Sequence, residues 1–220
     1  MGHTIDGVAT TEARARDLRA DAQRNRERII AAAIEVFAER GLEASTAEIA
    51  QRAGVGEATL FRRFPSKDDL IIAIVDAQMA DVVRIAKECL EDPDPAGGLE
   101  RFISVMVERS VADKGVMEAT KDRCMMRDEL QSSRSEVIGV MTALVKRAQQ
   151  AGAVRDDLTG QDLGILIHSV AASAEMPFPG VRQDIWKRYL GVLLDGLRPE
   201  GATKLRPGPP PKRAFEAPAT

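Results

Sequence analysis

The chain has 220 residues, a mass of 23.9 kDa and a formal net charge of −3, with 44% hydrophobic and 30% charged residues. A chain this long buries roughly 70% of its unfolded surface, so disulfides and metals are not needed to hold it; its two cysteines, Cys89 and Cys124, have no CxxC or histidine partner at ligand spacing. The longest stretch without a charged side chain, Leu163 to Ala174, is twelve residues, short of the ~20 that span a bilayer, and no secretory leader pattern opens the chain, which predicts a cytoplasmic protein away from the membrane.

Helical periodicity dominates, and no segment alternates long enough to propose a strand. The prediction is an all-α fold of about nine helices. The first helix is expected from about Asp21 to Arg40, with Ile30, Ala33, Ile34 and Phe37 on one face and Gly41 as its stop. Ser45-Thr46-Ala47-Glu48 has the capping-box form and opens a second helix to about Ala53. After Gly54, a third short helix covers Glu57 to Phe64, and Pro65 ends it. Ser66 then caps a long helix to about Leu90, with Leu70, Ile74, Val75, Val82, Ile85 and Cys89 inward. Further helices are expected near Gly98–Ala112, Asp128–Ala151, Gln161–Glu175 and Val181–Leu197, with Asp113–Arg127 short or irregular.

Six of the eleven prolines fall in the last 22 residues, so 199–220 reads as a disordered, polyproline-like tail. The expected organisation is a flexible arm over 1–20, a DNA-binding unit over 21–67 and a helical regulatory and dimerisation unit over 68–198. Charge divides along the same line. Arg14 to Lys67 holds 11 basic and 8 acidic residues, net +3, and the remainder holds 20 and 26, net −6. A basic front on an acidic body fits a DNA-binding module carried by a larger domain.

The stretch from Glu48 to Phe64 describes two short helices joined by a glycine turn, a helix-turn-helix. Ala50 is small where the helices cross, Gly54 permits a positive φ, Val55 is an apolar peg, and Ile49, Leu60 and Phe64 face inward. Glu57, Ala58, Thr59, Phe61, Arg62 and Arg63 are left outward on the third helix, where such side chains reach base edges and phosphates in a major groove. Thr46, at the start of the second helix, and Lys67, just past Pro65, are placed for phosphates. Arg14, Arg16, Arg19, Arg24, Arg26 and Arg28 either form a basic arm along the DNA or a solvated helical face among interleaved acids.

Gly41-Leu42, Ser45-Thr46, Ile49-Ala50, Ala53-Gly54-Val55, Thr59-Leu60-Phe61, Phe64-Pro65-Ser66-Lys67 and Leu70 together resemble the N-terminal signature of TetR-family transcriptional regulators. The resemblance covers about Arg24 to Val75 and is architectural beyond it. It implies an all-helical homodimer that binds a palindromic double-stranded operator and is usually released by a small ligand. Three positions depart from the common pattern: Phe61 stands for the usual tyrosine and loses a phosphate hydrogen bond, Gly56 for a capping serine, and Ala58 for glycine or proline.

Small residues on the last two helices let helices approach closely, and Leu163, Ile167, Val170, Ala174, Ile185, Tyr189, Val192 and Leu193 are candidates for a four-helix interface between two copies or for an internal core. Reading two half-sites ~34–36 Å apart requires paired heads. Phe102, Met106, Met117, Cys124, Met125, Met141, His168, Met176 and Phe178 are candidates for an adaptable apolar ligand cavity, with plain core filling as the alternative for each methionine. A ligand among the middle helices would shift the Asp68–Leu90 helix and thereby change the separation of the heads.

A regulator with no small-molecule effector, switched by a protein or acting as an activator, remains open at this point. An all-helical enzyme would need a catalytic constellation, and the sequence has no glycine-rich phosphate loop, GxSxG elbow or HExxH pair. No cofactor or metal is implied.

Overall fold

The computed structural model describes residues 6–112, 127–176, 180 and 182–211, with side chains from Ala20 onward. Among these residues it has eight α-helices and no strand. They are α1 (Asp6–Arg40), α2 (Thr46–Ala53), α3 (Glu57–Arg63), α4 (Lys67–Leu90), α5 (Pro95–Ala112), α6 (Gln131–Gln150), α7 (Gly160–Ala172) and α8 (Trp186–Gly196). The irregular helix expected over 113–127 lies, apart from its last residue, outside the described residues.

Two boundaries differ from expectation for identifiable reasons. Helix α1 begins at Asp6 rather than Asp21, so residues 6–20 are helical and not a loose arm. Between Val8 and Arg40 there is no glycine or proline, and the alanines, arginines and glutamates there favour helix, so nothing stops it. Helix α8 starts at Trp186 rather than Val181, after a turn over residues 183–185. Just before it, Arg182 donates to Asp184 (Nε to Oδ1, 2.8 Å), an interaction that holds the Asp184 carboxyl below the usual range.

The chain divides into two compact units, Met1–Ile74 and Val75–Thr220, a division two turns inside α4 rather than at its start. In the first unit Ile29, Ala33 and Phe37 of α1, Ile49 of α2, Leu60 of α3 and Leu70 and Ile74 of α4 are buried almost completely. Burying side chains of this size stabilises by roughly 1.5–3 kcal/mol each relative to exposure, which is how a short α3 with no side-chain cap stays folded.

In the second unit α7 packs against α5, α6 and α8. Its core includes Phe102 and Val107 of α5, Leu144 and Ala148 of α6, Leu163 of α7 and Trp186 of α8. Helix α7 starts with a capping box, in which the Thr159 N–H donates to Asp162 Oδ2 (2.8 Å) and Thr159 Oγ1 accepts from the Asp162 N–H. Its first residue has to be glycine. A Cβ on Gly160 would stand 2.5 Å from Thr142 Oγ1 and 2.6 Å from its backbone nitrogen, so α6 and α7 meet there backbone to backbone.

The proline-rich tail is not wholly loose either. The Leu205 N–H donates to Asp157 Oδ2 (2.8 Å), and Arg155 donates to the Thr203 carbonyl and to Asp157 (Nε to Oδ1, 2.6 Å). The Arg155 guanidinium, helped by the Leu205 N–H, pushes the Asp157 carboxyl down to about 2. Residues 203–205 are therefore tied by a loop whose charged partner lies 48 positions earlier, a pairing that composition does not reveal. Among the described residues no helix is long and apolar enough to cross a membrane.

Candidate nucleic-acid interface

The reading head is built on local caps. At the start of α2, Glu48 Oε2 accepts from the Ser45 N–H (2.9 Å) while Ser45 Oγ accepts from the Glu48 N–H (3.3 Å), the reciprocal box expected from the sequence. The Ser45 N–H holds the Glu48 carboxyl below its ordinary range, so the cap is intact at neutral pH and is lost only as pH falls through that lowered value. Thr46, the first helical residue, is half-buried; the N–H groups of this first turn have no helical acceptor and form the positive end of the helix dipole, which suits a phosphate.

Helix α2 ends in a Schellman turn. The Val55 N–H donates to the Ala50 carbonyl (3.0 Å) and the Gly54 N–H to Gln51 (3.1 Å), with Gly54 at φ +65°. Arg28, from α1, donates through Nη2 to the Ala53 carbonyl (2.7 Å) and fills the space a Cβ on Gly54 would take, 2.8 Å away. Arg52 fixes the other side of α2 to α1: Nη2 donates to Glu39 Oε2 (2.8 Å) and Nη1 to Glu35 Oε2 (3.2 Å). Arg52 in turn keeps the Glu39 carboxyl below its usual range, and Arg40 pairs with Glu48.

After this turn α3 presents its outer face. Leu60 is buried and Phe64 closes the helix end beneath the Arg26 guanidinium, 5.9 Å from the ring centre. Glu57, Ala58, Phe61, Arg62 and Arg63 are exposed and Thr59 is half-buried. Among the described residues Glu57, Arg62 and Arg63 have no side-chain hydrogen bond or ion pair. Six of the expected DNA-facing residues thus share one short helix, with Thr46 on the preceding one.

Lys67 is placed differently from expectation. Its Nζ donates to the carbonyls of Leu42 and Ala44 (2.8 Å to the latter) and lies 5.7 Å from the centre of the Phe37 ring. The ammonium satisfies two loop carbonyls between α1 and α2 rather than standing free for a phosphate, because three donors on a flexible stem find fixed acceptors within reach. Lys67→Met is expected to lower stability by about 1–3 kcal/mol, the range for charged hydrogen bonds, measured by urea unfolding. It should leave the slope of log affinity against log salt unchanged, whereas loss of a phosphate contact would reduce that slope by about 1.

Of these contacts, the internal pairings of Arg28, Arg52 and Lys67 escape a reading of the sequence by spacing. The one available hint is that Arg28, Glu35 and Glu39 fall on one stripe of α1.

The sites expected in the second unit separate. Phe102, Met106 and Met141 are buried in its core, His168 is half-buried and Met176 is exposed. Met117, Cys124, Met125 and Phe178 lie outside the described residues. Among the described residues this unit holds a cleft of about 460 Å³ between α6 and the start of α7 and another of about 510 Å³ among α5, residues 152–154 and the end of α8; none of these residues lines either. Of the residues expected at a dimer interface, Leu163, Ile167 and Val170 are buried in the core of their own chain, and Ala174 and Leu193 pack against it. Ile185 is half-buried, while Tyr189 and Val192 are exposed at 47% and 64%, as is Ile165 of α7 at 48%.

Both units have counterparts among known proteins. Residues 29–74 match the bacterial regulatory proteins of the tetR family, and residues 94–199 match the C-terminal domain of SbtR-like transcriptional regulators. An uncharacterised HTH-type transcriptional regulator of Mycobacterium tuberculosis is 31% identical over 132 residues, covering 58% of this chain and 68% of the relative. The HTH-type transcriptional repressor BepR of Brucella suis is 28% identical over 159 residues, 66% of this chain and 76% of its own. Among solved structures, the TetR transcription regulatory protein from Mycobacterium vanbaalenii is 31% identical with a TM-score of 0.65, covering 82% of this chain and 99% of the other. A glycine-turned head with a bare reading helix and a helical body of matching ancestry make this chain a member of the TetR family of DNA-binding transcriptional regulators.

Proposed function

We propose that the protein is a homodimeric repressor that holds a palindromic operator and lets it go when a small ligand binds its helical body. The observation that carries the DNA half of this reading is the outer face of α3, where Arg62 and Arg63 are exposed and spend no hydrogen bond on the described residues. Arg62 and Arg63 pair with guanine edges or phosphates, Thr59 and Ala58 meet thymine methyls, Phe61 packs on sugar or a base methyl, Glu57 accepts from a cytosine amino group, and the first turn of α2 at Thr46 takes a phosphate.

Dimerisation is supported by the apolar side chains left on the outside of α7 and α8, Ile165, Tyr189 and Val192. They lie on helices that pack into the core yet stay exposed among the described residues, and a two-fold axis through them would bury each against its copy. Release follows from α4, which starts at the head and ends in the core of the body, where Ile85, Ala86 and Cys89 are buried. A ligand that favours a different seating of that end shifts the head population in proportion to its preference between the two states.

Selection of bound duplexes from a random pool tests the reading. The recovered sites should be palindromic, with half-site centres about one helical turn, 10–10.5 base pairs, apart or a multiple of it. A template with the selected site overlapping its promoter should yield less transcript when protein is added. Increased transcript would make the protein an activator, and asymmetric sites would remove the dimer.

A further inference from the structure

We infer that the cleft between α6 and the start of α7 is a binding site for a small organic carboxylate with an apolar body. Its volume, about 460 Å³, is within the range of small-molecule sites. Ile138, Val145 and Leu158 supply its apolar wall. Only one charged side chain lines it, Lys146, which is exposed and has no ion pair among the described residues; no acidic side chain lines it.

Gln161 gives the second, independent observation. The residue is only 6% exposed and lines the cleft, and its amide, which opens into that cleft, has no hydrogen-bond partner among the described residues. Buried amides are normally paired, and its neighbour Gln149 is, donating through Nε2 to the carbonyls of Arg155 and Leu158, each at 3.0 Å. What the cleft offers an anion is therefore the Gln161 amide nitrogen, the Lys146 ammonium and the N–H groups of Gly160 and Gln161 at the start of α7, which have no acceptor within the helix, the Asp162 N–H being taken by Thr159 Oγ1. The one charge in the lining is a cation beside an apolar wall, which selects a carboxylate over an alcohol or an amine. The consequence for DNA rests on the ligand-release reading above; the binding itself does not.

The probe is 4-phenylbutanoate, titrated into the full-length protein by calorimetry and by amide NMR, with 4-phenylbutan-1-ol and 4-phenylbutylamine as neutral and cationic counterparts. A ligand of this size is expected to bind one per chain with a Kd on the order of 0.1–1 mM, shifting the Gln161 side-chain amide resonances. The alcohol should bind at least about 10-fold more weakly and the amine not measurably, the loss of one charge-assisted pair. Lys146→Gln should weaken the acid about 10-fold and Lys146→Arg should not; Gln161→Leu should weaken it similarly. Lys146 is exposed, so its variants keep the test valid even if the Gln161 variant folds poorly. Equal affinity for acid and alcohol, unchanged acid binding by Lys146→Gln, or no binding up to 10 mM would each overturn the site. If the acid binds as described but saturated protein keeps its selected duplex, the site stands and release through it fails; if it does not bind, release by another ligand is untouched.

Discussion

Replacing Arg62 and Arg63 together by alanine lowers affinity for the selected duplex by about 30- to 25,000-fold, while helix content, melting temperature and mass in solution stay at their original values. The size follows from two contacts at roughly 1–3 kcal/mol each. Stability is preserved because both side chains are exposed and form no hydrogen bond or ion pair with described residues, and alanine suits a helix at least as well as arginine. The single variants divide the roles. One that contacts phosphate weakens all sequences alike and reduces the salt slope by about 1, whereas one that reads a base relaxes preference at a single position. Fluorescence anisotropy at several salt concentrations measures both. Retained affinity in the double variant would move the interface off α3.

A second large effect is expected on the outside of the body. Tyr189→Glu with Val192→Glu should convert the proposed dimer to monomers in sedimentation and reduce operator affinity at least about 100-fold. Each monomer can then hold only one half-site, and the coupling between heads is lost. Two glutamates per chain, four across the axis, bring unpaired like charges into an apolar contact, which no side-chain adjustment relieves. The fold of the single chain should persist, because both residues are exposed there. Leu163 would be a poor choice for the same purpose. It is fully buried in its own chain, so its truncation would cost about 2.7–5 kcal/mol of folding stability and confuse unfolding with dissociation. A dimer that survives the double glutamate change would place the two-fold axis elsewhere.

Much of the head was legible residue by residue. Ser45 and Glu48 sit three apart, Gly54 stops α2 where a left-handed residue is required, Pro65 follows α3, and Ile49, Leu60 and Leu70 fall on inward stripes. All of these are local matters. Caps, stops and helical stripes depend on residues within about one to two turns of each other, and spacing encodes them directly. The same holds for the all-helical class and for the long α4. The early start of α1 was equally written in the chain, in the lack of any helix breaker after Gly7.

Other features were settled only when distant segments came together. Lys67 reaches a carbonyl 23 positions earlier and Arg28 one 25 positions later, so the sequence could show two cations near a DNA-binding motif but not that both are spent on their own chain. On α7 the periodicity gave an apolar helix without saying which side faces its own core. Packing against α5, α6 and α8 took Leu163, Ile167 and Val170 and left Ile165 outside. The cleft with Lys146 and Gln161 is lined by Gly160 and Thr142 where two backbones touch, an approach decided by the whole body. The sequence by itself therefore determined the helices, their ends and the family of the reading head, because these are short-range consequences of side-chain type. The tertiary structure decided which charges are spent internally and which surfaces stay open, because a hydrogen bond or a buried face depends on what the fold brings alongside it.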